Sequence, residues 1–353
     1  MPHAPIHVPL FPSGVGSVQH TNPIRAVDDV MRLYARMPFW PQLPNRTTVE
    51  MMIPQFGLSL PAARWDNSVL HWSGDVRRDP ATFASIPPPE RAAGLHAFIE
   101  RLDATAADDR PPVIKGQLVG PLTLSLSMRD TEGQPPHHSV ETLRWLGQVI
   151  GQMGAAQASA LQRFGAAVVI VLDEPWLAAV GEPALPVSWR DAVEVLRAAL
   201  EPIQRAGALA GIHSCQPSDW TQALRARPDL IHFDAQEGRI DDFLEHKTAL
   251  REHVARGGYL GWGLWPTGAP TTAFDPQAMQ YYLARAAREI SFVDSSVGLI
   301  FKRSMISGTC GTAGLTEAQE TQLARDLETL SMGIRRRYWI AATTDVDPDH
   351  PLT

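Results

Sequence analysis

The chain has 353 residues, a net charge of −7, 44% apolar and 20% charged residues, and two cysteines. That length and balance describe a globular chain with a sizeable core. They exclude a disulfide framework and argue against a nucleic-acid surface, since no Lys/Arg cluster offsets the negative charge; the densest basic run, Arg335–Arg337, reads as a solvated helix face. No run of 18 apolar residues is present, so no membrane span is predicted. The N-terminus lacks a basic start followed by an apolar segment, so a cytoplasmic, reducing setting is the simplest expectation.

In chain order, short apolar runs alternate with longer amphipathic stretches. Strands are predicted at "GVGSVQH" (14–20), "MPFWPQLP" (37–44), "PPVIKGQ" (111–117), "AAVVIVLDEP" (166–175), "ALAGIHSC" (208–215), "DLIHFDA" (229–235), "GGYLGWGLWP" (257–266) and "SVGLIFKR" (296–303). Helical periodicity marks 23–36, 141–164, 188–206, 218–227, 239–256, 275–290 and 316–338. Strand–helix alternation with near-continuous apolar strands points to a parallel sheet. Eight such units predict an α/β fold, a (β/α)8 TIM barrel spanning 1–353 as one domain. The Pro-rich stretch of about 45–110 is too long for one connection and is read as a helical insertion. An open doubly wound sheet is the alternative.

Polar residues sit where a barrel would use them. Asp173 and Glu174 end one predicted strand, His213 and Cys215 the next, and Asp234 the one after, while Cys310 follows the last. C-terminal strand ends build barrel active sites. Side chains alternate with period two along a strand, so His213 and Cys215 point the same way. An imidazole, two thiolates and a carboxylate from Asp234 or Glu237 would suit Zn2+ with one exchangeable position. The competing reading makes both cysteines small apolar residues.

From "GVGSVQHT" through "KGQLVGPLTLS", "VLDEPWL", "GIHSC" and "SGTCG", the chain resembles the catalytic barrel of the cobalamin-independent methionine synthases. These lie within the uroporphyrinogen-decarboxylase and methylcobamide methyltransferase superfamily. The resemblance implies a zinc-dependent thiol methyltransferase with His213, Cys215 and Cys310 as zinc ligands. The acidic ligand falls on Asp234, where the family usually has Glu, with Glu237 as the substitute. It further implies that Asp173 holds the homocysteine amino group, with Glu174 beside it, and that Gly16 and Ser17 receive the substrate carboxylate. The family's synthases carry a second, N-terminal barrel for methyltetrahydrofolate. This chain has room for one, so a methylated corrinoid protein is the expected donor. With a folate donor, His20 is the candidate acid. Trp40, Gln42, Trp262 and Trp265 form either an aromatic wall for a flat donor or core packing. Rival expectations are methylation of another thiol such as coenzyme M, a metal-free porphyrinogen-type decarboxylase, for which only Arg25 is at hand near the first strand, and a non-catalytic metal-binding subunit.

Overall fold

The computed structural model describes residues 8–74, 78–236, 238–268, 274–291, 297–338 and 340. Seven parallel strands form one curled sheet: β1 (Val8–Pro12), β2 (Val113–Val119), β3 (Ala167–Asp173), β4 (Leu209–Ser214), β5 (Leu230–Asp234), β6 (Tyr259–Trp265) and β7 (Arg303–Gly308), in the order β1-β7-β6-β5-β4-β3-β2. Helices lie between them, the principal ones being α1 (Pro23–Leu33), α2 (Ala93–Asp103), α3 (Val140–Gln162), α4 (Trp189–Arg205), α5 (Lys247–Ala255), α6 (Pro276–Ile290) and α7 (Glu317–Arg337). Their starts carry the expected caps. Asn22 accepts from the first turn of α1, and Thr316 with Gln319 forms a reciprocal capping box on α7. No helix among the described residues is long and apolar enough to cross a membrane.

The alternation along the strands separates two cores. Val8, Phe11, Met37, Val113, Val169, Val171, Leu209, Leu230, Tyr259 and Met305 cluster on the inside of the curl. The intervening residues, such as Ile170, Leu172 and Ile212, pack with the helices. Extending the inner set towards the C-terminal strand ends reaches Lys115, Asp173, His213 and His232, all buried.

The eight-stranded expectation holds as far as a curled parallel sheet, but its hydrogen bonding does not close into a ring. The eighth position is taken by residues 38–42, which make only isolated bridges, Phe39 to Lys115 and Ser17 to Gln42. Lys115 N donates to Pro38 O (2.9 Å), and Gln42 N donates to Gly16 O (2.9 Å). Pro38, Pro41 and Pro44 recur every third residue and each removes a ladder donor, so the predicted strand at 37–44 cannot form a continuous ladder.

Two further strand expectations are corrected. The first strand is Val8–Pro12, not 14–20. Pro9 and Pro12 mimic a loop in sequence, but β1 is laddered only to β7, and its register slips between Pro9 and Phe11, where Leu10 has φ 56°. An edge strand with an irregularity tolerates both prolines. Within 296–303, Val297–Lys302 is a helix and the strand begins at Arg303. A short apolar run does not distinguish a buried helical turn from a strand. The true strand, "RSMISG", carries two serines that read as loop; both are buried and hydrogen-bonded.

The 45–110 stretch includes α2, the short helix Met52–Gly57 and a hairpin of Ala63–Asp66 and Val69–Trp72 that pairs with Met128–Arg129. It is thus helical only in part.

Candidate metal centre

Beyond the apolar inner layer, β4 carries His213 and, just past its end, Cys215. The loop after β7 carries Cys310. One ligand atom from each lies within 4.8 Å of the other two. His213 is buried, Cys215 half-buried and Cys310 exposed at the rim. The His213 Nδ1 lies 2.6 Å from Nδ1 of His232, which leaves Nε2, a buried atom with no hydrogen-bond partner. Backbone contacts fix the Cys310 loop: Cys310 N donates to Thr267 Oγ1 (3.1 Å) and Thr312 N to Ser17 O (2.7 Å). Gly311 packs closely there: a Cβ would lie 1.8 Å from Ser17 Oγ, so that hydroxyl would have to turn away. The hydrogen-bonded Cys215 thiol and then His213 pull the Cys310 thiol down to about 4, while Cys215 is pushed up by the same pairing.

This donor set fits zinc. Tetrahedral geometry with bonds of about 2.0–2.3 Å places ligands about 3.3–3.8 Å apart, so a small closure brings the three atoms into range. An orphaned imidazole nitrogen beside two soft sulfurs suits that ion, and three protein ligands leave a position open.

Asp234 does not join the group. At the end of β5 its carboxylate turns to its own loop, accepting from Gln236 N (3.0 Å) and Gln236 Nε2 (3.2 Å). It borders a neighbouring cavity with Asp219, Asp242 and Arg239. Glu237 lies outside the described residues.

His213, Cys215 and Cys310 form one side of a cleft of about 250 Å³, whose other walls include Ser17, Gln42, Glu50, Met51 and Asp173. Asp173 Oδ1 is buried without a partner, and burial pushes this carboxyl up to about 6 against the pull of His213 and Lys115. Lys115, wholly buried, donates to Val15 O (2.6 Å) and Gln117 Oε1 (3.2 Å); burial brings its ammonium down to about 8, with Asp173 opposing. Glu50 faces the cleft fully buried, ion-paired with Arg46, its Oε2 unpartnered.

The remaining sequence candidates fall as follows. Ser17 lines the cleft, and Gly16 packs beneath it, where a Cβ would meet Gln42 Oε1 at 2.6 Å. Glu174 does not line the cleft: it accepts from Leu122 N (2.9 Å), Thr123 N (2.8 Å) and Thr123 Oγ1 (2.6 Å) at the start of the helix Pro121–Leu126. His20 is also away from it, its Nε2 3.2 Å from Asp29 and its Nδ1 4.0 Å from Glu317. Trp40, Trp262 and Trp265 are buried, with indole N–H groups given to Gln157, Ser304 and Asp326, so the packing reading holds for them. Sequence reading missed His232, which lies inside the predicted strand at 229–235, and Glu50, which lies in the insertion. The signal available for His232 was its place beside His213 on the next strand.

No protein-family model and no curated protein matches the chain. Among solved structures, it is similar to a B12-independent methionine synthase from Shewanella sp. W3-18-1 in complex with selenomethionine, at 15% identity and TM-score 0.59, covering 95% of this chain and 100% of that one. It is also similar to GH5_18 from Streptomyces cattleya in complex with GlcNAc (12% identity, TM-score 0.45, 95% and 81% covered). A third is a GH20 catalytic module of a pneumococcal exo-beta-D-N-acetylglucosaminidase (11%, 0.45, 94% and 86%). At these identities the first likeness is one of fold, a TIM-barrel-type α/β architecture, and the other two support nothing further.

Proposed function

We propose that the chain is a zinc-dependent thiol S-methyltransferase whose substrate is homocysteine. The observation that carries this reading is the triad of His213 Nε2, Cys215 and Cys310, converging in a cleft that also holds unpartnered carboxylate oxygens. Bound by those three residues, zinc would keep a substrate thiol deprotonated at neutral pH, where a free alkyl thiol with a pKa of about 8.5 is mostly protonated.

The chain's own residues supply the rest. Asp173 accepts a charge-assisted hydrogen bond from the substrate ammonium, and Glu50 stands in the same cleft as a second carboxylate. The Ser17 carbonyl is already taken by Thr312, which holds the loop of Gly16 and Ser17 against the cleft for the substrate carboxylate. At about 250 Å³ the cleft is small against typical ligand pockets of roughly 300–1,000 Å³. It suits an amino-acid thiol, and the methyl group is presented at the mouth by a donor held largely outside. The sulfur forms the new S–CH3 bond as the donor–methyl bond breaks, and the electron pair of that bond leaves with the donor.

We take a methylated corrinoid on a partner protein as that donor. A donor without B12 is the second reading, because the similar Shewanella methionine synthase is described as B12-independent. Two free thiols at the centre favour a reducing compartment such as the cytoplasm. The test is zinc content and methyl transfer on the purified chain. About one zinc per chain is expected, lost in Cys310→Ser and kept in Asp234→Asn, with methionine formed from homocysteine. Methylcobalamin outperforming methyltetrahydrofolate supports the donor, and the reverse order replaces it. Methylation of coenzyme M but not homocysteine overturns the substrate. Zinc retained by a Cys215→Ser, Cys310→Ser double variant overturns the metal centre.

A further inference from the structure

We propose that His232 is a positioning residue for His213: its Nδ1 accepts the His213 Nδ1–H and thereby holds His213 in the tautomer whose Nε2 lone pair faces Cys215 and Cys310. The inference rests on the metal reading above.

The proton positions follow from the far end of a four-group chain. The Gly308 carbonyl can only accept, so the Ser307 hydroxyl, 2.7 Å away, donates to it. Ser307 Oγ is then the acceptor in its 2.5 Å contact with His232 Nε2, which must carry a proton. His232 is 1% exposed, and burial on that scale disfavours a cation, so its Nδ1 is bare. The two Nδ1 atoms lie 2.6 Å apart and need one proton between them. Only His213 can supply it. With the Nδ1 proton directed at His232, the other ring nitrogen of His213, Nε2, faces the sulfurs, and that is the buried atom without a partner.

The fold is shaped around this pair. His213 and His232 are neighbours in register across β4 and β5, with ring centroids 4.5 Å apart. On β6 the residue in register with His232 is Gly261, and a Cβ there would lie 2.6 Å from His232 Cδ2. A larger residue would push the imidazole off its line. In water, histidine favours the Nε2–H tautomer, which would aim a proton at the ligand position. Outer partners of this kind fix tautomer and ring orientation in metal-binding histidines.

The test reads the tautomer directly. In metal-free protein labelled with nitrogen-15 on histidine, the ring nitrogen shifts of His213 should report a protonated Nδ1 and a bare Nε2. A protonated Nε2 overturns the proposal. His232→Leu should shift His213 towards Nε2–H and lower zinc affinity about ten- to a hundredfold against a competing chelator. His232→Asn, whose Oδ1 stands near the lost Nδ1, should recover most of that loss. Unchanged affinity in a folded His232→Leu protein overturns the proposal, as does a failure of Asn to recover more than Leu. Should His232→Leu not fold, Ser307→Ala carries the test: it frees the His232 tautomer, so His213 should become a mixture, and an unmixed His213 is the contrary result. A protein that shows the expected tautomer and zinc losses yet never methylates homocysteine supports this role and overturns the proposed function alone.

Discussion

Asp173 and Glu174 follow one another at the end of β3, and the strand's alternation sends their carboxylates to different surroundings. Asp173 Oδ1 meets the cleft without a partner. Glu174 is tied by three hydrogen bonds to the start of the helix Pro121–Leu126, and Gly120 makes room for it, since a Cβ there would lie 2.2 Å from its carboxyl carbon. Glu174→Gln keeps one acceptor but sets an amide N–H group against backbone donors. It should therefore lower stability by about 2 kcal/mol and leave zinc affinity unchanged. Denaturant unfolding with a zinc titration measures both; a folded variant with weakened zinc binding would return Glu174 to the site. At this scale the sequence made His213, Cys215 and Cys310 legible, because both cysteines of the chain fall at strand ends and one stands two residues from a histidine. Asp234 occupies an equivalent address, but its strand ends there and Gln236 takes the carboxylate. His232 was hidden inside "LIHFD", where nothing in one strand reveals which neighbour its ring meets.

Residues 38–42 are the weakest-laddered part of the sheet, and packing from outside holds them. Gly94 on α2 lies against Pro41, and a Cβ at Gly94 would stand 1.8 Å from the Pro41 carbonyl oxygen, a backbone atom that can move only with the segment. Gly94→Ala should cost about 1–3 kcal/mol by overpacking. Gly314→Ala is the matched control, with nothing within 4 Å of the new methyl. Urea unfolding of the two variants separates packing from glycine content; equal midpoints would show that α2 does not brace this segment. Elements with an unbroken pattern were legible: β2 to β6 and the long helices fall within a few residues of their sequence expectation. The two strands that were misplaced, β1 and β7, carry prolines and buried serines. Both depend on partners far away in the chain, Ser307 on His232 among them, and local pattern contains no record of those partners.

For the molecule as a whole, the fold constrains chemistry only loosely. An architecture of this kind hosts many unrelated chemistries, so function has to be argued from the site. What the whole molecule contributes is convergence: the C-terminal ends of β3 and β4, the loop after β7 and the insertion's Glu50 meet in one cleft. The central claim is that zinc in this cleft converts a bound thiol to a thiolate. Its most direct measurement is calorimetry of homocysteine binding at pH 7 in two buffers of different ionisation enthalpy, with zinc-loaded and metal-free protein. The expected result is release of close to one proton per chain in the zinc-loaded protein and much weaker binding without metal. Binding of homocysteine with no proton release, or equal binding to the metal-free chain, would contradict it.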